Sequence, residues 1–122
     1  GRRAGGPRLL FHVADATKRL PYRDGAFGAV IEKGFLDALL SAPRGGGDAP
    51  ARAVLREAWR VLGAGGLLVS ASQGRGLEDR LGFFLSAGLT PAPEAARELP
   101  GRPDRGVRCF ALSKPRSSLW PS

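Results

Sequence analysis

Apolar and polar positions along the 122-residue chain recur with two periods in turn, which predicts strands alternating with helices. Leu9 to Ala14 (LLFHVA) and Ala26 to Ile31 (AFGAVI) are short apolar runs bounded by polar residues, the pattern of strands buried on both faces of a parallel sheet. Leu67 to Ser72 (LLVSAS) repeats it, and Val107 to Ser113 (VRCFALS) alternates well enough for a last strand. Between these runs the period lengthens. Phe35 to Leu40 (FLDALL) has helical spacing. From Ala51 to Leu62, Val54, Leu55, Ala58, Trp59, Val61 and Leu62 form an apolar stripe while Arg52, Arg56, Glu57 and Arg60 lie off it, predicting an amphipathic helix. Leu77 to Ala87 predicts a further helix, weakened at Gly82 and stopped by Gly88. Leu89 to Glu98, interrupted by prolines, predicts a short edge strand.

The breakers set the connections. Asp24-Gly25 marks a turn, Pro43 to Pro50 (PRGGGDAP) predicts a loop that breaks any helix, and Gly63 to Gly66 predicts a tight turn between the amphipathic helix and the next strand. Residues 1–8 read as a flexible lead-in, residues 9–114 as one domain or part of one, and residues 115–122 as a polar tail. The order strand, helix, glycine turn, strand is that of a βαβ unit, so the fold class is α/β with a parallel sheet.

Composition then narrows the chemistry. Net charge is +8, from 19 Lys and Arg against 11 Asp and Glu, which raises the question of nucleic acid. Sixteen of those 19 are Arg, and Gly, Ala, Pro and Arg fill half the chain, the bias of a GC-rich coding sequence. Basic and aromatic residues do not interleave, so no specific nucleic-acid partner is expected. The single cysteine, Cys109, excludes an internal disulfide, a paired-cysteine redox centre and a cysteine-built zinc site, and reads as inert packing. The single histidine, His12, lies inside the first apolar run and reads as a packed core residue, so neither a metal nor a Ser-His-Asp catalyst is expected. No apolar run approaches the ~20 residues that span a bilayer, so no membrane partner is expected. The chain opens on Gly1 and contains no Met, from which an upstream N-terminus is expected.

Candidate site residues follow from the α/β class, because ligands of open parallel sheets bind at the carboxyl ends of strands. Asp15-Ala16 places a carboxylate and a backbone N–H at such an end, where they can read the donor and acceptor edge of an adenine; a simple turn cap at Asp15 accounts for the same residues equally well. In Glu32-Lys33-Gly34-Phe35-Leu36-Asp37-Ala38, a carboxylate and an ammonium end a strand, Gly34 permits close backbone approach, and Asp37 follows one turn into a helix. That arrangement suits a pocket orienting a polar substrate. A surface ion pair between Lys33 and Asp37 at i, i+4 is the plainer alternative.

Read together, VADATKRLPYRDGAFGAVIEKGFLDALL and LREAWRVLGAGGLLVSAS resemble the class I S-adenosylmethionine-dependent methyltransferases. The E-K-G-x-x-D-A segment resembles most the lysine methyltransferases of elongation factor 1-alpha and citrate synthase, and the stretch from Glu98 to Ala111 looks like the citrate synthase enzyme, which is mitochondrial. The resemblance implies a Rossmann-like class I methyltransferase sheet that is incomplete: strands three to seven, without the N-terminal cofactor loop. It implies S-adenosyl-L-methionine as cofactor, with Asp15 and Ala16 on its adenine, Glu32, Lys33 and Gly34 at the methyl-donor end, and Asp37 facing the target lysine. The implied partner is a protein, citrate synthase or elongation factor 1-alpha, in the mitochondrion or alternatively the cytoplasm. A small-molecule or RNA acceptor, or a catalytically inactive protein-binding remnant, remain the alternatives. An isolated chain of this extent is expected to bind the cofactor poorly and to expose a sheet edge.

Overall fold

A computed structural model describes residue 6 and residues 8–73, 77–92 and 95–116. The elements in chain order are β1 (Phe27–Lys33), α1 (Phe35–Ser41), α2 (Asp48–Val61), β2 (Leu62–Gln73), α3 (Leu77–Ser86), β3 (Arg97–Arg102), a 3-10 turn (Pro103–Arg105) and β4 (Val107–Ser113). They form one mixed sheet in the order β1-β2-β4-β3. β1 and β2 run parallel, with Val30 opposite Leu68 and Lys33 opposite Ala71. β4 is antiparallel to both β2 and β3. Most of the predicted lead-in and tail lies outside the described residues.

The apolar stripe of α2 behaves as its spacing requires: Ala51, Val54, Leu55, Trp59 and Val61 are buried. Ala51, Val54, Leu55 and Trp59 pack with Leu36 of α1, Leu62 and Leu68 of β2, Phe83 and Phe84 of α3, and Leu112 of β4. α2 starts earlier than the proline-rich segment predicts. Asp48, Ala49 and Pro50 form its first turn, where a missing N–H has no intrahelical partner to lose. The predicted glycine turn is likewise absorbed into β2. Leu62 already pairs with Phe27, and the register slips between Phe27 and Ala29. Gly66 makes this possible, because a Cβ there would stand 2.8 Å from the carbonyl oxygens of both Gly28 and Gly63. The Lys114 ammonium closes the end of α2, donating to the carbonyls of Trp59 and Leu62 at 2.6 Å each.

Two expectations are corrected. Leu9 to Ala14 forms no strand: Leu9 is 78% exposed, Phe11 85% and Val13 fully exposed. A strand needs a ladder and a covered face, and this segment pairs with none of the four strands described. His12 is therefore exposed, its ring Nδ1 lying 2.6 Å from the Tyr22 hydroxyl. The edge strand also falls later than predicted, at Arg97–Arg102, past the prolines of the preceding segment.

A cluster on α2 fixes the connection that leads into β1. Glu57 accepts from the Leu20 amide at 2.7 Å and from Arg60. Arg60 donates in turn to the carbonyls of Leu20 and Tyr22 and to Asp24. Hydrogen bonds from the Arg60 guanidinium, which outweigh burial, hold the Glu57 carboxyl down to about 2 from an ordinary 4.5. A depressed carboxylate stabilises the fold fully above its ordinary value and loses that contribution as pH falls through the folded one. The stability advantage of the wild type over Glu57→Gln is therefore expected to be full above about pH 4.5 and to vanish as the pH drops to about 2. Urea midpoints of both proteins at several pH values check this; an advantage independent of pH would refute the charge argument.

Candidate functional site

The carboxyl ends of β1 and β2 lie side by side, Lys33 opposite Ala71. The chain leaves β1 through Gly34, whose φ of 71° is a left-handed conformation that glycine adopts without strain. The Gly34 amide donates to the Ala71 carbonyl at 2.9 Å, so the turn is stitched to β2 before α1 begins. No side chain at the α1 N-cap bonds the helix. Glu32, two residues earlier, takes that role: its Oε1 accepts the Leu36 amide at 3.0 Å, and its Oε2 accepts from the buried Ser70 hydroxyl. Glu32 thus braces the turn.

This turn, the end of β2 and the start of β4 enclose a cavity of about 360 Å³, lined by Lys33, Gly34, Asp37, Ser72, Gln73 and Val107 among others. Asp37 forms its polar wall. Ser72 Oγ lies 2.8 and 3.0 Å from the two Asp37 oxygens, the Gln73 amide donates to Oδ2 at 2.9 Å, and Arg80 Nη2 donates to Oδ1 at 2.8 Å. Burial alone would raise the Asp37 carboxyl, but the bonds from Arg80, the Gln73 amide and Ser72 outweigh it and hold the group below 3.8. Arg80 itself is wholly buried while Asp37 is 29% exposed. The Nε and Nη1 of Arg80 have no hydrogen-bond partner among the described residues.

The surface pair expected between Lys33 and Asp37 is thus replaced by a half-buried one between Arg80 and Asp37. Lys33 ends a strand and Gly34 turns left-handed, so the helical spacing that would have joined the two residues does not exist. Arg80 went unseen in the sequence pattern. Its one signal is position: it shares a helix face with Phe83, Phe84 and Ala87, all buried.

A second, apolar cavity of about 160 Å³ lies between β1 and α2, lined by Ala16, Val30, Ile31, Glu32, Phe35 and Leu55 among others. Asp15 is exposed, and its Oδ1 accepts from the Thr17 amide at 2.9 Å and the Thr17 hydroxyl at 2.6 Å. Those bonds cap the turn and hold the carboxyl below 3.8. The predicted residues therefore divide: Lys33, Gly34 and Asp37 face the larger cavity, Ala16 and Glu32 the smaller, and Asp15 lines neither. Among the described residues no helix is long and apolar enough to cross a membrane, and no three metal-ligating side chains converge.

No family model matches the chain. It is 37% identical over 84 residues to the eEF1A lysine and N-terminal methyltransferase of Xenopus laevis, an overlap of 67% of this chain and 12% of that relative. The chain thus spans about an eighth of the relative's length. Its structure is similar to a SAM-dependent methyltransferase of Thermotoga maritima, with a TM-score of 0.55 and 16% identity over 81% of this chain and 61% of that one. It is similar also to a SAM-dependent methyltransferase of Methanosarcina mazei, with a TM-score of 0.56 and 16% identity over 92% of this chain and 70% of that one.

Proposed function

We propose, from the premise that this chain belongs by fold to the class I S-adenosylmethionine-dependent methyltransferases and spans part of that fold, that it forms the acceptor side of a protein-lysine N-methyltransferase. The observation that carries this reading is the Asp37 carboxylate fixed in the wall of the larger cavity. A carboxylate offers about four acceptor positions. Ser72, the Gln73 amide and Arg80 use three. One is left for an amine N–H entering the cavity.

The residues present fit part of the cofactor. The apolar slot beside Ala16, walled by Val30, Ile31 and Phe35, suits a flat aromatic ring, and Ala16 offers the backbone edge such a ring needs. Ala16 and Glu32 would hold that part, with Asp15 beside Ala16 in sequence, and Lys33 and Gly34 would border the donor end. When bound, S-adenosylmethionine supplies an electrophilic methyl group. The chain's own part is to hold the lysine side chain in line and exclude water around its amine, since this transfer depends on proximity and a deprotonated nucleophile.

For the acceptor we put citrate synthase first, on the resemblance of residues 98–111, with the mitochondrial location that it entails. The name of the Xenopus laevis relative puts elongation factor 1-alpha beside it. The test is to incubate the full-length protein containing this chain with radiolabelled S-adenosylmethionine and, in parallel, purified citrate synthase, purified elongation factor 1-alpha, total RNA and a protein-free small-molecule extract. Label on a lysine of citrate synthase is the expected result. Label on elongation factor 1-alpha alone moves the acceptor to the second candidate. Label on RNA or a small molecule, or none anywhere, overturns the lysine reading.

A further inference from the structure

We propose that Arg80 is a positioning residue whose charge offsets that of Asp37 toward the acceptor, so that an amine in the cavity can shed its proton; this rests on the lysine-acceptor reading above. A lysine amine carries a proton below about pH 10.4, and the ammonium has no lone pair with which to accept a methyl group. A lone carboxylate within ~4–6 Å worsens this, raising the pKa of a neighbouring cation by about 1–3 units. The cavity faces this conflict because its wall is a carboxylate.

Arg80 resolves it. Its Nη2 lies 2.8 Å from Asp37 Oδ1, and the side chain is wholly buried, so water does not screen the pair on the Arg80 side. Among the described residues, Lys33 is the other charged group lining the cavity, and it too carries a cationic side chain. β2 presents the neutral Ser72 and Gln73, and β4 the apolar Val107. The cavity therefore offers an acceptor oxygen without a net negative charge. An ammonium entering the cavity can therefore release one proton to solvent water, after which the neutral amine donates one of its two N–H groups to Asp37 and keeps its lone pair for the methyl group.

The burial of Arg80 supports a role beyond stability. Two of its three guanidinium nitrogens lack partners among the described residues, so its desolvation is only partly offset. Buried ion pairs are often replaceable by apolar residues without loss of stability.

The test measures methyl transfer to the lysine acceptor between about pH 7 and 10 by the full-length protein and its Arg80→Met, Arg80→Lys and Asp37→Asn/Arg80→Met variants, with folding of each checked by circular dichroism. For Arg80→Met the rising limb of the rate profile is expected about one pH unit higher, with kcat near pH 7.5 about tenfold lower and KM unchanged or reduced, because the ammonium form binds but does not react. Arg80→Lys is expected to restore the limb. The double variant, which removes both charges, is expected to return it close to the wild-type position even if its rate is lower. A limb that stays in place in Arg80→Met, or a loss equal at every pH, overturns the proposal. Absence of transfer by the wild type overturns instead the reading on which it rests.

Discussion

Asp37→Ala is expected to destabilise the fold by about 3–5 kcal/mol, whereas Arg80→Met, which removes the same ion pair from the other side, is expected to cost less than about 1.5 kcal/mol. The asymmetry comes from where each charge is left. Arg80 is wholly buried, and among the described residues its Nη2 bonds only to Asp37 and Ser72. Without the carboxylate a full positive charge stays inside the protein with no counter-charge among its bonds. Asp37 is 29% exposed and keeps its bonds from Ser72 and the Gln73 amide, so after loss of Arg80 it remains hydrogen-bonded and reaches water. Methionine also fills much of the arginine volume with apolar atoms. Urea denaturation of the two variants and the wild type measures both costs from one set of midpoints. Equal costs, or a larger one for Arg80→Met, would show that Arg80 reaches solvent and that the pair is a surface pair.

What the sequence disclosed and what it hid separate along one physical line. The stripe of α2 and the bounds of β4 were legible because both depend on local period: every third or fourth residue of α2 faces the core, and Val107–Ser113 emerges with the limits its pattern sets. The same reasoning failed at Leu9 to Ala14. An apolar run is necessary for a buried strand but the neighbour that covers it is not written in the run, and here none of the four described strands pairs with it. His12, assigned to the core only because the run was, failed with it. The site shows the same division. Gly34 and Asp37 stand out within one short segment, so their closeness at the end of β1 could be read directly. Arg80 lies 43 positions from Asp37, and only the packing of α3 beside the sheet brings the two together. At Glu32 the packing adds what the pattern could not disclose: its two bonds run to the amide of Leu36 and the hydroxyl of Ser70 and brace the turn.

The same dependence on packing makes Phe84 the residue of α3 on which the site rests. Phe84 is 0% exposed within the core shared by α1, α2, β2 and β4, while Leu85, its neighbour in sequence, is 50% exposed. Phe84→Ala is expected to cost about 3–5 kcal/mol, a large part of the 5–15 kcal/mol that holds a typical domain together, and Leu85→Ala to change stability by no more than about 0.5 kcal/mol. The first loss has a second consequence, because Arg80 lies one turn before Phe84 on the same face. If Phe84 seats α3, its removal frees Arg80 to leave Asp37, and amide exchange along residues 79–86 should rise more than in β2 or β4. Hydrogen exchange of Phe84→Ala and Leu85→Ala, beside their thermal midpoints, reads both effects. Equal midpoints for the two variants would mean that α3 is not seated by Phe84; a lowered midpoint with exchange raised evenly over the chain would mean that α3 has no independent mobility and that Arg80 is held by the sheet instead.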